Sequence, residues 1–248
     1  MNSRRVLNSL ALHKLKWQKK RSKRYRQAAE LIEEDKVYSL SEGIDTLKKF
    51  PSAKYDETVS ISLKLGVDPK QSDQMVRGTC PLPHGSGKQV RVLVFAQGEA
   101  ATAAKNAGAE FVGYDDMITK IQGGFQDFDV AVATPEAMAE VRKLGRFLGP
   151  RGLMPNPKTG TVTDDTASAV NAVKAGRIDF KLDRSGNLSA PIGKLSFTPD
   201  QLSENGDAVL KAIRQVKPAS AKGIYFCGAT LSATVSPGIP IETSGYEK

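Results

Sequence analysis

The stretch VRVLVFAQGEAATAAKNAGAEFVGYDDMITKIQGGFQDFDVAVATPEAMAEVRKL, residues 90–144, decides the fold class. Val90 to Phe95 and Val130 to Ala133 are short, nearly continuous apolar runs, the mark of strands covered on both faces. Each is followed by a helical segment: Glu99 to Ala107 is rich in alanine, and Pro135 to Leu144 opens with proline after Thr134. Between them lie Phe111-Val112 and a helix over Asp115 to Ile121, closed by Gly123-Gly124. Strand–helix alternation at this spacing predicts a small parallel α/β layer.

On either side the pattern changes. Tyr55 to Leu65 alternates, with Tyr55, Glu57, Val59, Ile61, Leu63 and Leu65 on one face and Asp56, Thr58, Ser60, Ser62 and Lys64 on the other. Apart from Glu57 this is a half-buried strand with one wet face. Arg177 to Asp183 repeats the pattern, with Ile178, Phe180 and Leu182 inward, and Ser185-Gly186 then turns the chain towards Leu188 in an expected hairpin. Thr198-Pro199-Asp200-Gln201 opens a helix with a capping residue, proline at the first position and Gln three residues on. Its apolar stripe is Leu202, Val209, Leu210, Ile213 and Val216, and Pro218 stops it; Lys222 to Thr234 reads as a last strand.

The expected architecture is therefore α/β with two domains. A split α+β outer domain is formed by both chain ends, residues 21–67 and 159–240, and residues 68–158 form an insert. Residues 1–20 form a basic N-terminal extension and 241–248 a tail. The chain is expected to cross between domains at Asp68-Pro69 and along Gly149 to Gly160. The second crossing contains Gly149, Gly152 and Gly160 with Pro150, Pro155 and Pro157, residues that make an irregular but well-defined connection. Asp68, Pro69, Gly149, Pro157 and Gly160 are the candidate hinge residues.

Composition narrows the function. The 248 residues carry 36 Lys and Arg against 27 Asp and Glu, for a net charge of +9. Ten of those basic residues precede the first acid, Glu30, so the rest of the chain holds 26 basic against 27 acidic residues. Any polyanion surface on the body must come from sorted charge. Gly98 to Glu140 contains eight acids and only Lys105 and Lys120, whereas Val141 to Gly160 contains Arg142, Lys143, Arg146, Arg151 and Lys158 and no acid. A basic run by itself is a solvated face; three basic stretches, the third being Lys211, Arg214, Lys217 and Lys222, around one acidic block favour a polyanion partner. No apolar stretch is long enough for a membrane helix. Two cysteines, Cys80 and Cys227, make no disulfide framework, and His13 and His84 have no ligand-spaced neighbours, so zinc is not indicated.

The α/β layer invites an enzyme reading, which the motifs refuse. Gly85-Ser86-Gly87-Lys88 has Leu82 where a phosphate loop needs its first glycine and Gln89 where it needs a metal-binding hydroxyl. A dinucleotide fingerprint fails too, because Val90 stands at the third glycine and the segment precedes its strand. No nucleophile elbow is present. No cofactor is expected.

The run Lys143-Leu144-Gly145-Arg146-Phe147-Leu148-Gly149-Pro150-Arg151-Gly152-Leu153-Met154-Pro155-Asn156-Pro157-Lys158-Thr159-Gly160-Thr161-Val162 closely resembles the signature of the ribosomal protein L-one family of bacterial and organellar type. The likeness extends through Lys54-Tyr55-Asp56-Glu57-Thr58-Val59, Val76-Arg77-Gly78, Leu82 to Lys88, Ile121-Gln122-Gly123-Gly124, Lys174 to Arg177, Ile192-Gly193-Lys194 and Lys217-Pro218, roughly residues 20 to 240 in collinear order. It implies a split outer domain interrupted by a Rossmann-like insert of three layers, with a mobile hinge between them. It also implies a structural, non-enzymatic role: binding large-subunit rRNA, forming the mobile stalk beside the tRNA exit site, and assisting release of deacylated tRNA. In bacteria the family further implies a translational repressor bound to its own operon mRNA.

Carried onto this chain, the resemblance places the RNA surface on Lys23, Arg24, Arg26, Lys54, Tyr55, Arg177, Lys181, Lys222, Ser232, Thr234, Val235 and Ser236. Tyr55 stands where the family has Phe, keeping the ring for packing on sugar or base. Val235 and Ser236 replace Met and Gly of the family's terminal loop, and Gly228 replaces a Ser. Basic groups neutralise phosphates while hydroxyl and backbone groups read ribose. Arg146 and Arg151 are candidate tRNA-facing residues. The expected partners are large-subunit rRNA, tRNA in the exit site and the operon mRNA, with no membrane and no obligate homo-oligomer. The expected location is the cytoplasmic ribosome. Residues 1–18 resemble a basic arm or an overlong start more than an organelle transit peptide, which is usually longer and richer in serine.

Overall fold

The computed structural model describes residues 21–33 and 36–246; the expected extension, residues 1–20, lies outside them. The described residues contain, in chain order, strands β1 (Thr58–Leu65), β2 (Arg77–Cys80), β3 (Val92–Phe95), β4 (Phe111–Gly113), β5 (Val130–Ala133), β6 (Ile178–Lys181), β7 (Asn187–Lys194), β8 (Phe226–Ala233) and β9 (Ile239–Ile241). They build a four-stranded antiparallel sheet in the order β7-β1-β8-β9, a β2-β6 ribbon and a three-stranded parallel sheet in the order β4-β3-β5, so the strands flanking Ser185-Gly186 pair with β2 and β1 and not with each other as the expected hairpin would.

The alternation of β1 decides the first sheet. Val59, Ile61, Leu63 and Leu65 are buried, as are Leu188, Ala190 and Ile192 beside them on β7 and Ala229, Leu231 and Ala233 on β8. This apolar face is covered by the helices Leu40–Lys48, through Leu40, Ile44 and Leu47, and Pro199–Gln215, through Leu202, Val209, Leu210 and Ile213. Both helices begin with reciprocal capping boxes, Ser39 with Glu42 and Thr198 with Gln201. The opposite face is a hydroxyl surface. Ser60 lies opposite Ser232, Ser62 opposite Thr230 and Ser189, and Ser62 Oγ is 2.7 Å from Ser189 Oγ.

The parallel sheet explains its own unbroken apolar runs. Leu93, Phe95, Ala131 and Ala133 face the helix Asp115–Gln122 with Val141, Leu144 and Leu148, while Val92, Val94 and Val132 face Ala104 and the helix Thr166–Lys174. These are three layers, with the sheet in the middle. The expected helix over Pro135 to Leu144 is broken into a short helix Met138–Val141, a 3-10 turn Arg142–Leu144 and a second short helix Gly145–Leu148.

The crossings between the two cores fall elsewhere than Asp68 and Gly149–Gly160. Val76, Cys80 and Leu82 still pack in the first core, and β2 pairs with β6, so the chain leaves that core only after Leu82. On the return, Leu153 and Met154 pack on the second core and Ala133 N–H donates to Thr161 O, so residues 161–163 run beside β5 as an added sheet edge. The helix Thr166–Lys174 then covers the parallel sheet, and the chain comes back at Gly176. A Cβ on Gly176 (φ +95°) would lie 2.4 Å from Gly85 Cα, which means that the two crossing segments pass each other in contact. The first crossing is held by buried Asn205. Its Nδ2 donates to Gly85 O (3.1 Å) and Ile192 O (2.7 Å), and its Oδ1 accepts from His84 N–H (3.1 Å). The Gly85-Ser86-Gly87 turn that mimics a phosphate loop is thus a docking segment.

The expected tail is not free at its start: Ile241 is buried in the sheet, and Tyr246 hydroxyl donates to Asp207. Among the described residues no helix is long and apolar enough to cross a membrane, and no group of three or more His, Cys, Asp or Glu could hold a metal ion.

Candidate nucleic-acid interface

Glu57 is the one residue that breaks the apolar face of β1's approach, and the site is built around it. It is 3% exposed. One carboxylate oxygen accepts from Ala53 N–H (3.0 Å) and Arg24 Nη1 (3.4 Å), and the other accepts from Val235 N–H (3.1 Å). A buried carboxylate persists only when such partners replace its water. Three separate segments are thereby drawn together: the helix Lys23–Glu30, the loop 53–56 and the turn 234–236.

A second knot ties the turn to the start of β1 at the surface. Thr234 Oγ1 accepts from Thr58 N–H (3.1 Å) and donates to Thr58 O (3.3 Å), while Lys194 Nζ donates to Thr58 Oγ1 (2.9 Å). Ser236 Oγ closes the turn on itself, accepting from Ala233 N–H at 2.8 Å and donating to Pro237 O at 3.0 Å. Its hydroxyl therefore shapes the turn. Tyr55 projects from the loop 53% exposed, and Val235 is 37% exposed. Lys23, Arg26 and Lys54 are exposed and Arg24 is partly so. The nearby acids are committed, Glu57 as described and Asp56 to Ser196 N–H and hydroxyl (3.2 and 2.8 Å). The arrangement presents an aromatic ring, hydroxyls and the exposed cations Lys23, Arg26 and Lys54 on one edge of the sheet, the chemistry that meets ribose and phosphate.

Of the sequence-predicted residues, the structure gathers Arg24, Lys54, Tyr55, Thr234, Val235 and Ser236 here, with Lys23 and Arg26 on the same helix as Arg24 and Ser232 two residues back along β8. Lys222 is not brought to this edge. It precedes Phe226, which pairs with Leu65 at the other end of the β1–β8 ladder, whereas Ala233 pairs with Val59. At about 3.3 Å per residue the ladder sets these ends roughly 20 Å apart. Arg177 lines a different cleft with Arg77 and Arg151, and Lys181 pairs across the ribbon with Arg77. Arg146 is exposed on the short helix Gly145–Leu148 beside Phe147. Glu57, Thr58 and Lys194 hold this edge together and are positions that the sequence reading did not assign to it. The acid in phase with an apolar face was the available signal for Glu57.

Comparison with known proteins follows the same outline. Residues 47–237 match the Ribosomal protein L1p/L10e family. The chain is 54% identical over 224 residues to the large ribosomal subunit protein uL1 of Corynebacterium glutamicum (strain R), covering 90% of this chain and 95% of that one. It is 53% identical over 223 residues to the protein of the same name from Bifidobacterium longum (strain DJO10A), with 90% and 97% covered. Against the Kosmotoga olearia protein of that name it is 53% identical over 223 residues, with 90% and 96% covered.

Proposed function

The chain belongs to the ribosomal protein L1p/L10e family, a structural and non-enzymatic family, and on that premise we propose that it is a constituent of the large ribosomal subunit that grips folded rRNA through the Tyr55–Thr234 edge. The observation that carries the reading is the hub at Glu57, which spends a buried carboxylate on holding an exposed ring, a hydroxyl-bearing turn and a basic helix in one place. Such preorganisation suits recognition by shape, because the RNA meets a surface already set.

The division into domains belongs to the same proposal. We place the insert between the two crossings that meet at Gly85 and Gly176, with the hinge there. The insert carries the acidic block, which phosphate repels, so it projects away from rRNA, and its exposed Arg146 faces tRNA leaving the ribosome. The chain then acts as the mobile stalk that assists release of deacylated tRNA. Repression follows if the operon mRNA folds into a shape that the Tyr55–Thr234 edge accepts in place of rRNA. Its place of work is the cytoplasmic ribosome.

The test is binding of the full chain to a large-subunit rRNA fragment as salt is varied. Four cationic side chains outside the Arg24–Glu57 pair, Lys23, Arg26, Lys54 and Lys194, give a log–log slope on the order of −3 to −4. A flat response, or failure of the chain to travel with large subunits on a sucrose gradient, overturns the reading.

A further inference from the structure

A second basic site lies in the cleft between the ribbon and the insert. It encloses about 250 Å³, and its polar lining includes Arg77, Arg151, Arg177, Asp129 and Asp179. Nη2 of Arg177 is buried there with no hydrogen-bond partner. That nitrogen has almost no accessible surface, so Arg177 meets the cleft through the rest of its side chain. Among the described residues no ion pair within 4.0 Å engages Arg77, Arg151 or Arg177. Asp129 is already held by Lys88 Nζ (2.6 Å) and by Arg91 N–H (3.1 Å) and Nε (3.4 Å). Asp179 is the remaining carboxylate within electrostatic reach of Arg77 and Arg177, and no ion pair closer than 4.0 Å joins them among the described residues.

We propose that this cleft is a binding site for a single phosphate group, held by the guanidinium groups of Arg77, Arg151 and Arg177. Guanidinium forks match the oxygens of phosphate, and three of them against one free carboxylate leave the cleft cationic. The walls are set in advance. Thr161 Oγ1 accepts from Asn156 N–H (2.8 Å) and Thr159 Oγ1 donates to Asn156 O (3.0 Å), closing the 156–161 turn, which Ala133 N–H ties to the sheet through Thr161 O (2.9 Å), while Leu153 N–H donates to Leu148 O (3.0 Å) across the segment that carries Arg151. Arg77 opens β2 and Arg177 directly precedes β6 in the ribbon of the first core, whereas Arg151 comes from the insert. A phosphate in the cleft therefore bridges the two cores. The site does not share residues with the Tyr55–Thr234 edge and does not depend on that edge binding RNA.

The probe is inorganic phosphate, titrated into the full chain against chloride at equal ionic strength, with binding read by calorimetry and by the melting temperature. Phosphate is expected to bind and to raise the melting temperature, where chloride does neither. Arg151→Gln, an exposed position that leaves folding intact, should weaken phosphate binding about tenfold, and Asp179→Asn, which removes the opposing charge, should strengthen it. A uridine dinucleotide with one internal phosphodiester separates the sources: competition with phosphate assigns the site to a nucleic-acid backbone, and binding of phosphate without the dinucleotide assigns it to a free anion. A phosphate response equal to that of chloride, or one unchanged in both variants, overturns the proposal.

Discussion

Replacing Glu57 by Gln tests the organisation of the RNA-facing edge without changing its shape. The carboxylate accepts from two backbone N–H groups, of Ala53 and Val235, and from Arg24, and only 3% of the residue is exposed. An amide offers one oxygen, so one of the backbone donors must face the new NH₂, and the charge that supports Arg24 is gone. Hydrogen bonds to a charged group contribute about 1.5–3 kcal/mol each, so the loss of one, with weakening of the rest, amounts to about 2–3 kcal/mol. The assay is amide hydrogen exchange followed residue by residue. At 1.4 kcal/mol per factor of ten, the amides of Ala53 and Val235 should exchange roughly 30- to 150-fold faster, while amides of the insert stay as they were. Affinity for the rRNA fragment should fall with them. Unchanged protection at Ala53 and Val235 would refute the reasoning, because it would mean that the buried carboxylate does not hold the loop and the turn together.

Thr234→Val removes the hydroxyl that both accepts from and donates to the backbone of Thr58; equilibrium denaturation should register about 1 kcal/mol, and rRNA affinity should drop. Gly176→Ala forces a side chain onto φ +95° and to 2.4 Å from Gly85 Cα, which should cost about 2–5 kcal/mol by urea titration and open the 83–89 segment to proteolysis. Asp129 has its carboxyl held below the ordinary 3.8, mainly by its hydrogen bond from Lys88. A depressed acid adds stability that is complete above its unfolded value and is lost as pH falls through the folded one. The destabilisation by Asp129→Asn should therefore be present at neutral pH and disappear in acid, below pH 3.8, as read by melting temperature across pH.

Much of the fold was legible because burial writes itself into periodicity. The alternation of Tyr55–Leu65 and the continuous runs at Val92–Phe95 and Val130–Ala133 separate a sheet with one wet face from a sheet covered twice, and the capping box at Thr198 sets the start of the longest described helix. What escaped had weak or misleading local signals. The helix Lys23–Glu30 buries only Ala28 and is held by Arg24's contact with Glu57, a partner 33 residues away. Strand Arg77–Cys80 contains a glycine because Phe180 lies across it: a Cβ on Gly78 would stand 2.8 Å from that ring. The Gly- and Pro-rich stretch before Gly160 looks like a linker, yet it packs on the insert, and the return crossing is marked by Gly176 alone. For the site, Tyr55 and Thr234 came from a family likeness, since an exposed tyrosine and a strand-end threonine carry no signal of their own. Their nearness follows from the β1–β8 register, which sequence does not state.

The most direct test of the central claim compares two variants of the full chain on one large-subunit rRNA fragment. Tyr55→Ala removes an exposed ring at the proposed edge and should weaken binding by about 1–3 kcal/mol, the worth of one base stacked on an aromatic side chain, with folding unaffected. Asp116→Lys reverses an exposed charge on the insert and should leave the affinity unchanged. Undiminished binding by Tyr55→Ala together with a marked change for Asp116→Lys would place the RNA on the other core and contradict the account.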